Sequence, residues 1–130
     1  MPDAGVSRKI WAGRVVSAIP VFMMGLSGVL KLAGGERMTA DWAAFGYPHS
    51  ALIPIGVTEL TCALVYVIPR TSVLGAVLVA GYLGGAVATH VRLLQPVWPG
   101  PLLLGVLAWL GLWLRDPRLR ELLPVRRTSR

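Results

Sequence analysis

Long runs of apolar residues separated by short polar segments dominate this 130-residue chain. Four runs can be drawn, at about residues 11–32, 51–69, 71–94 and 97–114, each interrupted by few or no charged side chains. Their lengths approach the roughly 20 residues that a helix needs to cross about 30 Å of hydrocarbon. Backbone groups inside a bilayer must bond to one another, and the period-two alternation of barrel strands is absent. The pattern therefore predicts an all-α integral membrane protein, an antiparallel four-helix bundle within residues 11–114.

The composition supports this class and argues against others. Hydrophobic residues make up 55% of the chain and charged residues only 15%, whereas soluble domains carry about 25% charged residues. The net charge of +7 arises mainly from basic residues near the chain ends, so we do not expect nucleic-acid binding. The single cysteine, Cys62, excludes an internal disulfide. His49, His90 and the acidic residues lack a ligand spacing typical of metal sites, so no metal is expected.

The basic residues also predict the topology. With four spans, ten of the 13 Lys and Arg residues fall on the side of the termini, and only Lys31, Arg37 and Arg92 fall on the other. The positive-inside rule then places both termini in the cytoplasm, in a multi-pass plasma-membrane protein. Residues 1–10 form a cytoplasmic segment, the first span is retained rather than cleaved, and residues 115–130 form a basic cytoplasmic tail beside anionic lipid head groups.

The longest connection, residues 33–50, lies on the outer side in this topology. Gly34 and Gly35 are expected to stop the first helix, and a short helix is predicted over residues 39–45. Trp42 and Tyr47 suit a membrane interface. The segment is either a loop with interfacial anchors or a lid over a site.

Glu59 is the only charged residue within residues 51–69. A carboxylate in hydrocarbon costs roughly 2.5–3.5 kcal/mol on insertion scales, so Glu59 should face a partner, a cavity or a ligand. Lys31, His90 and Arg92 fall in the same outer half of the predicted bundle, which indicates a pocket that opens either to the outside or into the outer leaflet. Glu59 and His90 are either an acid/base or proton-relay pair, or Glu59 is simply neutralised by Lys31, Arg92 or His90.

Helical spacing adds further residues to this pocket. Tyr66 shares a face with Glu59 on the second span, and Tyr82 and Thr89 share a face on the third, beside His90. We therefore predict Glu59 and His90 as catalytic residues, with ligand-binding residues Lys31, Arg92, Tyr66, Tyr82 and Thr89.

Several short motifs together resemble the DoxX-like family of small four-helix membrane proteins. They are Gly28-x-x-Lys31-Leu32, Phe45-Gly46-Tyr47-Pro48, Gly56-x-x-Glu59-Leu60, Ile68-Pro69 and the run GYLGGAVATHVR that contains His90 and Arg92. The resemblance implies a four-helix membrane bundle, and some relatives are subunits of thiosulfate:quinone oxidoreductases. It implies a quinone as the cofactor, with Glu59 and His90 bonding its carbonyls or handling protons, and Tyr66 or Tyr82 lining its pocket.

Four functions follow, in order of preference. The first is binding of a lipophilic molecule, a quinone above all, as a redox-complex subunit with a membrane or soluble redox partner. The second is a stand-alone enzyme that uses Glu59 and His90 as acid and base on a lipophilic substrate. A small transporter, which would require a homo-oligomer, and a scaffold subunit are the remaining alternatives. In every case membrane lipids surround the chain.

Overall fold

The computed structural model describes residues 3–126, and this part of the chain is all-α, without a β-strand. Four long helices are α1 (Ala4–Ala33), α3 (Leu52–Val67), α4 (Ser72–Arg92) and α5 (Pro99–Arg115). Two short helices are α2 (Glu36–Ala44), between α1 and α3, and α6 (Pro117–Leu122), after α5. Single 3-10 turns, His49–Ala51 and Pro69–Thr71, lead into α3 and α4.

Glycine and proline residues set the boundaries of these helices. Gly34 and Gly35 have φ angles of 70° and 103°, a region that residues with a Cβ rarely adopt, and they separate α1 from α2. Pro69 follows the end of α3, where its ring and missing N–H prevent the helix from continuing. The Ser72 hydroxyl donates to the carbonyl of Ile68 at 3.0 Å. The chain therefore turns sharply from α3 into α4.

Helices extend beyond the predicted spans at both ends of the described chain. The first helix begins at Ala4, ahead of the predicted start of the span at about residue 11, and no proline lies between Ala4 and Pro20. Within the predicted tail at residues 115–130, α6 begins after Asp116, whose carboxylate accepts from the Arg118 backbone N–H at 3.0 Å. Residues 127–130 of the tail and residues 1–2 lie outside the described residues.

Each of the four predicted spans coincides with one long helix, but the helices differ in length. Three helical segments are long and apolar enough to cross a membrane: Ala4–Ala33, His49–Val67 and Pro69–Arg92. The fourth, Pro99–Arg115, is apolar but shorter, since Pro99 sets its first turn and Asp116 ends it. The short helix expected over residues 39–45 corresponds to α2. It begins earlier, at Glu36, because the break after α1 ends at Gly35.

Each long helix packs against two of the others. Helix α1 contacts α3 and α5, and α4 contacts the same two helices. Glycines permit close approach, since a Cβ at Gly75 in α4 would collide with the Tyr66 backbone in α3. The core between the helices contains Met24, Cys62, Ala63, Tyr66, Ala76, Val79, Leu83, Ala108 and Leu112, and Leu119 from α6.

The outward faces of the helices are also apolar. Phe22, Leu64 and Val77 are 68%, 61% and 54% exposed, and many other large hydrophobic side chains are similarly uncovered. A water-soluble protein rarely exposes continuous apolar surface on this scale. Together with the length of the helices, this surface is that of a small membrane protein whose outer faces contact lipid.

Candidate functional site

A cavity of about 590 Å³ lies between α1, α3 and α4, with α2 on one side of it and two residues of α5, Pro101 and Leu104, in its wall. Most of its wall is apolar or aromatic and includes Met23, Met24, Ile55, Leu83 and Leu104. Polar side chains line the rest, namely Ser27, Lys31, Asp41, Tyr47, Thr58, Glu59, Tyr82, Thr89 and His90. The cavity thus combines a large apolar surface with a few polar groups, as small-molecule sites commonly do.

Glu59 forms an ion pair with Lys31 in the wall of this cavity. The Lys31 Nζ lies 2.8 Å from Glu59 Oε2, and the side chains are 12% and 4% exposed. The Ser27 hydroxyl donates to the same oxygen at 3.1 Å, and Lys31 Nζ donates to Ser27 Oγ at 2.6 Å. Ser27 and Lys31 lie one turn apart on α1, so they reach the α3 carboxylate together. Lys31 is therefore the partner that neutralises Glu59.

Two glycines bring α1 and α3 close enough for this contact. A Cβ on Gly28 would collide with the Leu60 side chain, and one on Gly56 would lie 3.0 Å from the Cβ of Lys31. Because both positions lack a side chain, the backbones approach closely and the short Ser27 hydroxyl reaches across the interface. The sequence motifs that contain Lys31 and Glu59 thus each carry the glycine on which their contact depends.

His90 lies at another part of the same cavity and does not bond to Glu59. Its Nδ1 shares a hydrogen bond with Gln95 Oε1, and its ring meets the Phe45 ring edge-on at 5.5 Å. With the amide oxygen as acceptor, Nδ1 carries the hydrogen and Nε2 of the neutral imidazole is left as an acceptor. Tyr82 also lines the cavity, and its hydroxyl is near enough to interact electrostatically with the Glu59 carboxylate.

Helix α2 and the residues after it cover part of the cavity. Trp42 is 3% exposed, and its indole N–H donates to the Pro48 carbonyl at 2.9 Å. The Tyr47 ring lies 5.1 Å from the Trp42 ring. The Tyr47 hydroxyl bonds to Thr89 Oγ1, which donates in turn to a carbonyl of its own helix at 2.9 Å. Of the two interpretations of residues 33–50, the geometry corresponds to a cover over the cavity.

Arg92 contacts the cover, which consists of α2 and the residues after it, and does not line the cavity. Its guanidinium donates to the Phe45 carbonyl at 2.6 Å and lies 6.0 Å from the centre of the Tyr47 ring. Gly46, between these residues, has a φ of 80°, which lets the chain turn back toward α3. Arg92 therefore joins α4 to the cover, and its ligand-binding role stays a prediction.

Tyr66 lies elsewhere, at the opposite end of the helices. Its buried hydroxyl donates to the Ala108 carbonyl at 2.6 Å and is 2.9 Å from Ser17 Oγ. The Arg115 guanidinium lies 5.1 Å from the centre of its ring. Seven residues beyond Glu59 is about 10 Å along a helix, so a shared face does not place the two side chains in one pocket. Tyr66 joins α1, α3 and α5.

The structure brings together Lys31, Glu59, Tyr82, Thr89 and His90, all of them residues that the sequence indicated. It adds polar groups that were not predicted as site residues: Ser27, Asp41, Tyr47 and Thr58 in the cavity wall, and Gln95 as the partner of His90. The i, i+4 spacing to Lys31 was a signal for Ser27, whereas no spacing linked Asp41 or Gln95 to the site. Within residues 3–126, no three His, Cys, Asp or Glu side chains are grouped as a metal ion would require.

Comparisons with known proteins give a family match and a short match to a curated relative. Residues 15–111 match the DoxX-like family. The uncharacterized protein YwoB of Bacillus subtilis (strain 168) is 41% identical over 49 residues, which are 38% of this chain and 32% of that protein. The match thus spans about a third of the relative's length. No solved structure matches this chain significantly.

Proposed function

This chain belongs to the DoxX-like family, and we propose that it binds a lipophilic small molecule in the cavity between α1, α3 and α4. The observation that carries this proposal is an apolar cavity of about 590 Å³ with a buried, neutralised ion pair in its wall. Its volume falls within the range of about 300–1,000 Å³ that is typical of small-molecule sites. Met23, Met24 and Leu83 would surround the apolar body of the ligand, beside Glu59 and Tyr82.

The proposed setting is an antiparallel four-helix transmembrane bundle with both termini in the cytoplasm. Contacts between α1 and α3 support the antiparallel arrangement, because they run in opposite order along the two helices. Ser17, early in α1, meets Tyr66, late in α3, whereas Gly28 is close to Gly56 near the start of α3. The distribution of Lys and Arg supports the cytoplasmic termini and the plasma membrane. In this orientation the cavity lies toward the outer side.

A quinone is the specific ligand that we propose first. It is a flat ring with polar oxygens and an apolar tail, which suits an apolar cavity with a few polar groups. Glu59, Tyr82 and His90 supply those groups. The protein would then act as a subunit that presents the ligand to a membrane or soluble redox partner.

Two adjacent glycines of α4 provide a matched test. Gly85 lines the cavity, whereas Gly84 lines an apolar groove between α4 and α5, and a Cβ at either position would meet no atom within 4 Å. Gly85→Leu should fill part of the cavity, and Gly84→Leu should make the same chemical change outside it. Wild type and both variants would be purified gently, and the lipophilic molecules extracted from each would be compared by mass spectrometry.

A molecule enriched in wild type and Gly84→Leu but lost from Gly85→Leu would support the proposal and reveal the ligand. Equal content in all three proteins would contradict it. Short-chain ubiquinone added to the purified proteins tests the quinone directly. Its binding should be weakened at least tenfold by Gly85→Leu and not by Gly84→Leu.

A scaffold role is the second candidate, and one observation favours it. The Ser27–Lys31–Glu59 contacts join α1 to α3 and leave no net charge, so they can hold helices together without any ligand. Under this role, Glu59→Gln would lower stability or change association with partner chains, and no lipophile would distinguish wild type from Gly85→Leu. The acid/base enzyme with Glu59 and His90 stays a prediction, since the two side chains share the cavity but bond to different groups.

A further inference from the structure

The polar groups of the cavity indicate which kind of head group it accepts. We infer that the ligand presents a neutral hydroxyl group to Glu59, and that the cavity therefore selects lipophilic alcohols or phenols over carboxylates, phosphates and organic cations. This inference rests on the proposed function, because it names the chemical class of the molecule in that cavity. Of the two redox forms of the quinone proposed above, the reduced quinol should therefore bind more tightly, because only it carries hydroxyl groups.

The first observation is the unequal use of the two Glu59 oxygens. Among the described residues, the hydrogen bonds from Lys31 and Ser27 both end on Oε2. The other oxygen, Oε1, takes part in neither, and the Tyr82 hydroxyl is the other group of the cavity wall that interacts with the Glu59 carboxylate. A carboxylate oxygen can only accept hydrogen bonds, so Oε1 offers the cavity a charged acceptor that a hydroxyl donor satisfies. A ketone, ether or ester oxygen in the same place brings no hydrogen to this contact.

The second observation is the balance of charge around that oxygen. The ion pair of Glu59 with Lys31 at 2.8 Å is neutral as a unit. An anionic head group would approach the Glu59 carboxylate, which is 4% exposed, and repulsion in a low-dielectric site is costly. Asp41 adds a second, solvent-exposed carboxylate to the wall. A cationic head group at Oε1 would lie close to the Lys31 ammonium, which already compensates the carboxylate. A neutral donor avoids both penalties.

The third observation is that His90 and Tyr82, in another part of the cavity wall, can also accept a hydrogen bond from a ligand hydroxyl. His90 uses Nδ1 toward Gln95, which leaves Nε2 as an acceptor in the neutral ring. The Tyr82 hydroxyl can donate or accept. A ligand with one hydroxyl at Glu59 therefore finds complementary groups for a second hydroxyl, whereas a ligand without donors leaves acceptors of the wall unpaired, which costs free energy in a buried site.

Three probes of nearly equal shape test the inference on the purified protein in lipid nanodiscs. They are para-butylphenol, para-butylanisole, which replaces the hydroxyl hydrogen by a methyl group, and para-butylbenzoate, which is anionic at neutral pH. Binding would be measured by calorimetric titration, with empty nanodiscs subtracted for partition into lipid. We expect the phenol to bind on the order of tenfold more tightly than the anisole, as a hydrogen bond to a charged group implies, and the benzoate to bind most weakly.

Two variants test whether the Glu59 carboxylate causes the preference for phenol over anisole. Glu59→Gln should reduce the ratio of phenol to anisole affinity several-fold, because a neutral amide replaces the charged acceptor. Thr61→Val on the same helix, where Thr61 is exposed and bonds to its own helix, should leave the ratio unchanged. Equal affinity for phenol and anisole, or tightest binding of benzoate, would overturn the inference while leaving a lipophile-binding cavity. Failure of all three probes to bind would overturn the proposed function as well.

Discussion

Replacing Lys31 with methionine should destabilise the protein far more than the loss of an ordinary interhelical hydrogen bond. The change keeps a similar apolar stem but removes the ammonium that lies 2.8 Å from Glu59 Oε2. The Ser27 hydroxyl would then be the donor left at Oε2 of a carboxylate that is 4% exposed. The charge of Glu59 would be largely uncompensated in a site that water reaches poorly.

The magnitude follows from the burial of the two groups. Removing one partner of a buried ion pair costs roughly 3–5 kcal/mol. Because the Lys31 side chain retains 12% of its exposure, we expect the lower end, about 3 kcal/mol. Interhelical hydrogen bonds in membranes average only about 0.6 kcal/mol. A buried ion pair and an ordinary hydrogen bond therefore predict clearly different losses of stability for Lys31→Met. Replacing both partners by apolar side chains removes the buried charge altogether, and Lys31→Met with Glu59→Met should approach wild-type stability.

Unfolding by sodium dodecyl sulfate in mixed micelles, followed by tryptophan fluorescence and far-UV circular dichroism, would measure these differences. Lys9→Met is the matched control, because Lys9 lies on the same helix at an exposed position. A loss below about 1 kcal/mol for Lys31→Met would indicate only an ordinary hydrogen bond. A double variant as unstable as the single one would also refute the reasoning, since restored stability is expected from removing the unpaired charge.

Two further predictions concern the helix contacts and the cover. Gly75→Ala should lower stability by roughly 1–3 kcal/mol through overpacking against the Tyr66 backbone, whereas Gly81→Ala, which meets no atom within 4 Å, should be neutral in the same unfolding assay. Arg92→Met removes the hydrogen bond to the Phe45 carbonyl and should accelerate hydrogen exchange in α2 several-fold while exchange in the middle of α3 is unchanged. Unaltered exchange in α2 would show that Arg92 does not hold the cover.

Much of the site was accessible from the sequence because charge inside an apolar helix is costly. Glu59 stood out for that reason, and Lys31, Tyr82, Thr89 and His90 were indicated by depth and helical face. Tyr66 shares a helical face with Glu59 but lies at the other end of the helices, since helical periodicity gives direction around an axis and not distance along it. Asp41 reaches the cavity only through the fold of α2, which no periodic pattern relates to α3 or α4.

The sequence by itself determined the helices and their membrane character. Apolar runs near 20 residues long specify helices in hydrocarbon because the backbone has no other way to satisfy its hydrogen bonds. Which group neutralises Glu59 was decided only by the tertiary structure, because Lys31, His90 and Arg92 were all within reach in principle. Close approach of α1 and α3 at Gly28 and Gly56 selects Lys31. The register between two helices depends on contacts along their whole length, and no local pattern contains it.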